Sequence, residues 1–578
     1  MMRKLFRWLG VFMAALVGVL AFPACGGDER KEVDETMTQL YVSVVPSGYG
    51  DSWLYAAAER FEQMYAQTSF EEGKLGVQVF VSADAPSGST AASFLAGLST
   101  EVIFTEDVDY YDLVNRNLLY DMTAAVEKPL EEYDEEQSIA DKMTTDYRDF
   151  FKTGSGEGNY YALPFNVNYT GIIYDVDLFE DEGLYFKADT SDPNRPAKKP
   201  YQFTNVVSER SNGPDGKTGV IDGVDNSADD GLPATYDQFF ALCEEMVTNH
   251  GGIVPITWPG MYQFHMYRYL YCLWAANEGY EQMQLNYTFK GSATDLVEGF
   301  RQDGTPIISE TPTPITDANG YLLNKQAGKY YALNFLERLV SNKNYYDETL
   351  CFGGAQQHTD AQNEFLLGRF DEKRKRTAML IDGAHWENEA TDIFNRMKSR
   401  YGAQASKENR KFGFLPNPKP TDADVGKESV VMDAANTALF INGNIQQNKV
   451  KVAETFVRFM HTRESLSEFN RITGICRPYD YEMTEAELGQ MSHFGQSVYA
   501  TTKASRILAP HSDNRTFLNN YSVFNPLHTG VWTSKVGNTT TYNTPSTAMH
   551  DNGVTAQGYF EGLSYYYNQS FWNNIVAK

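Results

Sequence analysis

The chain has 578 residues, too many for one ordinary hydrophobic core and enough for two or three domains. A hydrophobic fraction of 42%, with 14% aromatic, excludes wholesale disorder. The formal net charge of −27 gives a surface that repels nucleic acid and anionic membranes.

The N-terminus carries a processing signal. Arg3, Lys4 and Arg7 precede an apolar run from Leu9 to Phe22 that is interrupted only by Gly10 and Gly18, and this run is too short for a comfortable membrane span. Residues 1–24 are therefore expected to be a signal peptide, and removing them leaves a still more acidic chain. Phe22-Pro23-Ala24-Cys25 resembles the lipobox of bacterial lipoproteins, in which the cysteine becomes the acylated first residue of the mature protein. Phe22 and Pro23 depart from that pattern, so cleavage nearby with Cys25 left free is the other reading. Residues 25–39 read as a tether. The remaining cysteines, Cys243, Cys272, Cys351 and Cys476, form no C-x-x-C and no zinc spacing, and their order identifies no disulfide.

Leu40 to Val45 alternates as a strand, and Pro46-Ser-Gly-Tyr-Gly50 turns the chain into a helix capped by Asp51 or Ser52. Leu54, Ala57, Ala58, Phe61, Met64 and Tyr65 share one face of that helix, and a strand over Val77 to Val81 completes a βαβ unit. Val102 to Asp109 reads as a buried strand ending in an acidic turn. Asn117 then offers a left-handed cap, and residues 127–150 are acidic and helical.

Tyr160 to Asp175 reads as one rigid strand, with apolar Phe165, Val167 and Tyr169 alternating with Asn166, Asn168 and Thr170. It presents a face of side-chain amides that both donate and accept hydrogen bonds. Residues 186–232 form a polar insertion rich in aspartate. Thr235 to Gln238 reads as a capping box, Arg376 to Gly383 and Phe412 to Leu415 as strands, and Val430 to Phe440 as another. A helix with Ala453, Phe456, Val457 and Met460 on one face follows.

Several of these segments resemble, in order, the sugar-binding members of the bacterial extracellular solute-binding proteins, family 1, the lipoprotein components of ABC importers. They are Tyr161-Ala-Leu-Pro-Phe-Asn166 with Tyr174 to Gly183, Thr377-Ala-Met-Leu-Ile-Asp-Gly-Ala-His-Trp386, and Phe412 to Pro416 with the strand and helix after it. The resemblance implies an α/β, two-lobed, periplasmic-binding-protein-like (type II) fold with a hinge and a ligand cleft between the lobes. It implies chain crossings near Phe165, Ser429 and Cys476, which puts 40–165 and 429–475 in an N-lobe and 166–428 and 476–578 in a C-lobe.

The implied function is capture of a carbohydrate, an oligosaccharide in the first reading, by lobe closure and its delivery to the permease of an ABC importer. The protein would be a monomer held outside the cytoplasm by its lipid, with no cofactor, no metal and no nucleic-acid partner.

Trp386 and Trp258 each offer a flat face for a sugar ring, or a core filler. Asp107 and Asp109 offer carboxylates for paired hydroxyls, or charge at a helix start. Asn166 and Asn168 offer amides to the ligand or to a neighbouring backbone. Tyr49, Asn436 and Arg477 join the expected ligand-binding set by resemblance alone.

The aspartates Asp215, Asp222, Asp225, Asp229 and Asp230 lack the EF-hand register, and Gly216-Lys217-Thr218 lacks the first glycine of a phosphate loop. No hydrolase signature is present, and no catalytic residue is assigned. Two rivals remain: a secreted glycoside hydrolase using carboxylates such as Asp107, Asp109 and Glu387, and a surface glycan adhesin without transport.

Overall fold

The computed structural model describes residues 31–578 apart from 153–157, 194, 198, 218, 219, 222, 223, 226, 435, 525–528, 538, 539, 566 and 578. The expected signal peptide, Cys25, most of the tether, Thr218 and Asp222 lie outside the described residues.

The first lobe is built on β1 (Thr38–Val44), β2 (Val77–Ser82) and β3 (Val102–Glu106). β1 lies between its two parallel neighbours, with Thr38 opposite Val77 and Val42 opposite Val102. Helix α1 (Ser52–Met64) joins the first two strands and turns Trp53, Leu54, Ala57, Ala58 and Phe61 inward. The Trp53 ring meets Phe104 and Phe469 edge-on, at 5.1 and 5.0 Å between centroids, so one indole ties strand, helix and returning chain together. Met64, expected on this buried face, is exposed, and the Asp51 N-cap makes no side-chain capping bond. Asn117 takes the left-handed conformation expected of it, at φ 54°.

Tyr160 to Asp175 is not one strand. Residues 163–169 form an extended crossing, and only β4 (Thr170–Asp175), buried along its whole length, belongs to a sheet. β4 opens the second lobe with β5 (Ile253–Thr257), β6 (Arg376–Gly383) and β7 (Phe412–Leu415), in the order β7-β4-β6-β5. β6 runs parallel to β5 and antiparallel to β4, and it is buried from Thr377 to Gly383, as a strand covered on both faces must be. Arg410 sits beside β7 and makes a buried fork to Asp175 (2.7 Å) and Asp177 (2.8 Å).

Val430 to Phe440 likewise divides. β8 (Val430–Met432), expected at the start of the first lobe's return, pairs instead with Arg506–Leu508 and packs on the helix Phe264–Glu278 of the second lobe. The chain then crosses, and β9 (Thr437–Ile441) joins the first sheet antiparallel to β3, with Leu439 opposite Phe104. Residues 127–150 form short helices at Ile139–Lys142 and Thr145–Phe151 rather than one long helix. Thr235 caps its helix through Gln238 N–H, but the Gln238 side chain accepts from Ala234 N–H, so the capping box is not reciprocal.

The crossings lie side by side. Leu163 and Leu439 exchange backbone bonds of 2.8 and 2.7 Å, Val167 N–H donates to Cys476 C=O at 2.8 Å, and Ala434 N–H donates to Asn168 C=O at 2.8 Å. These bonds are few and local, the form of a hinge that absorbs a change of angle between two packed sheets. All four described cysteines are buried and free. Among the described residues no helix is long and apolar enough to cross a membrane.

Candidate functional site

At the hinge, the C-terminal end of β3 and the turn Ser47–Tyr49 after β1 face the C-terminal end of β6 and helix α2 (Trp386–Glu389) of the other lobe. The lobes touch there: a Cβ built on Gly48 would lie 2.2 Å from His385 Cδ2 and 3.1 Å from Glu389 Oε1. Ligands of open α/β sheets bind beyond the carboxyl ends of the strands, which is where these segments converge.

From the first lobe, Tyr49 OH donates to Glu106 Oε1 at 3.3 Å. Asn436 Nδ2 donates to both Glu106 Oε2 (3.2 Å) and Asp107 Oδ1 (3.1 Å). Asp107 holds the left-handed conformation, at φ 59°, fixed by its N–H to Asn436 C=O at 2.8 Å. Burial raises the Glu106 carboxyl, with the Asp107 charge adding to the rise, and burial together with Glu106 pushes the Tyr49 hydroxyl well up.

From the hinge, Asn168 N–H donates to Asp433 Oδ1 at 2.5 Å while Asn168 Oδ1 meets His385 Nδ1 at 3.0 Å. The Asp433 carboxylate also accepts from Tyr147 OH. From the second lobe come Asp382, His385 and Glu389, with His265 Nδ1 3.4 Å from Asp382 Oδ1. Arg268 contributes a guanidinium that burial drives down and that the Asp107 and Glu106 charges support. The arrangement brings carboxylates, amides, imidazoles and one guanidinium to a single interlobe seam, donors and acceptors suited to a polyhydroxylated ligand.

Of the residues expected from the sequence, Tyr49, Asp107, Asn168 and Asn436 meet in this seam. Asn166 lies in the crossing, 2% exposed, with neither its Oδ1 nor its Nδ2 hydrogen-bonded to protein. The other four lie elsewhere. Asp109 caps the helix Tyr110–Asn115 by accepting from Asp112 N–H at 3.1 Å. Arg477 turns into the first lobe, where Nη1 donates to Met460 C=O at 2.5 Å and Nη2 faces His461 Nε2 at 3.1 Å.

Trp386 and Trp258 are both fully buried. Trp386 packs against Phe412 and Phe494, at 5.2 and 5.4 Å, and Trp258 against Tyr346 and Phe352, at 5.1 and 5.6 Å, so protein rings cover the faces a sugar would use. Glu387 is buried under Ser492, whose hydroxyl it accepts, and burial raises its carboxyl to about 7.

Glu106, His385, Glu389, Arg268 and Asp433 were not anticipated as ligand groups. The sequence held two signals for them: the i,i+4 spacing of His385 and Glu389 beyond a buried strand, and Arg268 as a cation within the apolar and aromatic run Met266 to Ala276. In the insertion, Asp215 N–H donates to Asp229 Oδ2 at 2.9 Å, so backbone occupies part of the acidic cluster.

The two sheets, the side-by-side crossings and the interlobe seam define a periplasmic-binding-protein-like fold. No protein-family model matches the chain, nor does any curated protein. Among solved structures the chain is similar to a chitin oligosaccharide binding protein, with a TM-score of 0.50 and 13% identity over 94% of this chain and 100% of that one. It is equally similar to the apo-form of RafE from Streptococcus pneumoniae, with a TM-score of 0.50 and 13% identity over 94% of this chain and 100% of that one. At this identity the likeness is one of fold.

Proposed function

We propose that the chain is the extracytoplasmic solute-binding component of an ABC importer. It captures a carbohydrate, an oligosaccharide in the simplest reading, between its lobes and presents the closed form to the permease. The observation that carries this reading is the interlobe seam, where polar groups from both lobes and the hinge converge on one another and Asn166 keeps a buried donor and acceptor unfilled by protein. Buried amide groups cost free energy unless bonded, so a ligand hydroxyl or water at Asn166 lowers the energy of the closed state. The fold shared with a chitin oligosaccharide binding protein supports a sugar as the ligand.

In this reading Cys25 carries the lipid anchor, the protein acts as a monomer, and no bond of the sugar is broken. Closure is driven by the ligand's greater affinity for the closed arrangement than for the open one. The test is a thermal-shift screen against mono- and oligosaccharides with product analysis on every hit. A ligand at 100 times its Kd adds about 2.7 kcal/mol of stability. A stabilising sugar recovered intact supports the reading, a sugar recovered cleaved replaces it with the hydrolase, and no stabilisation by any sugar removes the carbohydrate assignment.

A further inference from the structure

Within the seam, one cluster has a geometry that sugar recognition does not require. Asp382 is the penultimate residue of β6, and His385 and Glu389 follow at i,i+3 and i,i+7, which sets the N-cap of α2 and its last residue one helical turn apart. One ligand atom from each lies within 4.8 Å of the others, and His385 Nε2 is 3.7 Å from Glu389 Oε1. Donor atoms around a tetrahedral ion at about 2.0–2.2 Å stand roughly 3.3–3.6 Å apart, so from separations within 4.8 Å the cluster needs to contract by about 1.5 Å at most.

Two neighbours prepare it further. Asn168 Oδ1 can only accept a hydrogen bond, so the 3.0 Å contact puts a proton on His385 Nδ1 and turns Nε2 toward Glu389. An imidazole whose one nitrogen is anchored through N–H to an oxygen, and whose other nitrogen faces carboxylates, has the arrangement that orients histidine on metals. Gln362 is fully buried beside α2, and its Nε2 spans Asp382 Oδ2 (3.2 Å) and Glu389 Oε2 (3.0 Å). Its Oε1 has no hydrogen-bond partner. Turned over, the amide would present this oxygen to an ion between the carboxylates in place of the N–H that now bridges them.

We propose that Asp382, His385 and Glu389, completed by Gln362, form a binding site for a divalent transition-type cation such as zinc. One imidazole with carboxylate and amide oxygens suits zinc or manganese, whereas calcium takes six to eight oxygens and fits this donor set poorly. The site lies under Gly48 of the other lobe, so an ion here fixes the surface on which the lobes close. This inference stands apart from the sugar reading, because the ion is expected to bind without sugar.

The experiment is calorimetric titration of the chelated full chain with zinc chloride, with manganese and calcium chlorides for comparison, and without sugar. The expected result is one zinc equivalent, weaker calcium binding, and a loss of at least about tenfold in Glu389→Gln and in Gln362→Leu. Circular dichroism and melting of each variant without zinc report folding. X-ray absorption of the zinc-loaded wild type is expected to show one imidazole and otherwise oxygen ligands, a readout that does not depend on any variant. Absence of stoichiometric binding, unchanged affinity in the folded variants, or a first shell with two or more imidazoles overturns the proposal. The first outcome would leave His385 and Glu389 as a histidine–carboxylate contact, and the last would put zinc on a different ligand set, His265 beside Asp382 included.

Discussion

Replacing Gly48 by alanine tests the lobe contact with a single methyl group. Gly48 has no left-handed backbone to strain, and the added Cβ would stand 2.2 Å from His385 Cδ2 and 2.8 Å from its Cγ, where ordinary contacts begin at 3.4 Å. The His385 ring cannot easily swing away, because Nδ1 is held by Asn168 at 3.0 Å. The lobes must therefore part by about an ångström at this point. Overpacking of this kind costs about 1–3 kcal/mol, and here the cost falls on the closed arrangement alone.

If sugar binding requires closure, that cost appears as an affinity loss of about 5- to 150-fold. Calorimetry with the sugar found by thermal-shift screening measures it. Gly354→Ala, where an added Cβ meets nothing within 4 Å, is the control. Melting of the sugar-free variant is expected to stay close to wild type, since each lobe keeps its own core. A Gly48→Ala protein that binds sugar as tightly as wild type refutes the premise that this contact belongs to the ligand-bound state.

Three further outcomes follow from the packing. Arg410→Met leaves Asp175 buried without its partner and is expected to cost about 3–5 kcal/mol in urea denaturation, with sugar affinity unchanged in the protein that remains folded. Trp386→Ala empties a site among Phe365, Phe394, Phe412 and Phe494 and is expected to destabilise by about 3–5 kcal/mol, and a loss of sugar binding with full stability would instead return Trp386 to the ligand.

His511 stacks on Phe150 at 3.6 Å, and burial holds its pKa down to about 3, against about 6.5 in an unfolded chain. Its folded pKa is depressed, so the unfolded state takes up the proton first, and stability is lost as pH falls from about 6.5 through 3. Melting between pH 7 and pH 4 is expected to show a shallower decline in His511→Phe than in wild type, and parallel curves would contradict the assignment.

The strands were legible because their runs are continuous: Thr377 to Gly383 and Val102 to Thr105 are buried on both faces, and apolarity alone marks them. Where the structure departs from the pattern of the sequence, the deciding information is tertiary. Val430 to Phe440 reads as one strand in sequence, yet Asp433 and Asn436 fall at its middle, and their bonds to Asn168, Glu106 and Asp107 accompany its division into strands of different sheets.

Trp386 and Trp258 follow strands in the sequence. Which way an indole turns depends on aromatic rings of distant segments, and those pack against both indoles. Asp109 is a cap because Asp112 N–H needed an acceptor, a local rule that the sequence did contain. Glu106, Arg268, His385 and Asp433 come from separate segments, and only the fold gives them a common address. Tyr49, Asp107, Asn168 and Asn436 were reachable because strand ends and crossings are where such folds gather polar groups.

The most direct measurement is small-angle X-ray scattering of the protein with and without the stabilising sugar. A smaller radius of gyration and a more compact profile are expected when the sugar is bound, as the lobes close about the crossings joined at Leu163–Leu439 and Asn168–Ala434. Identical profiles in the presence of a sugar that demonstrably binds would contradict capture by lobe closure.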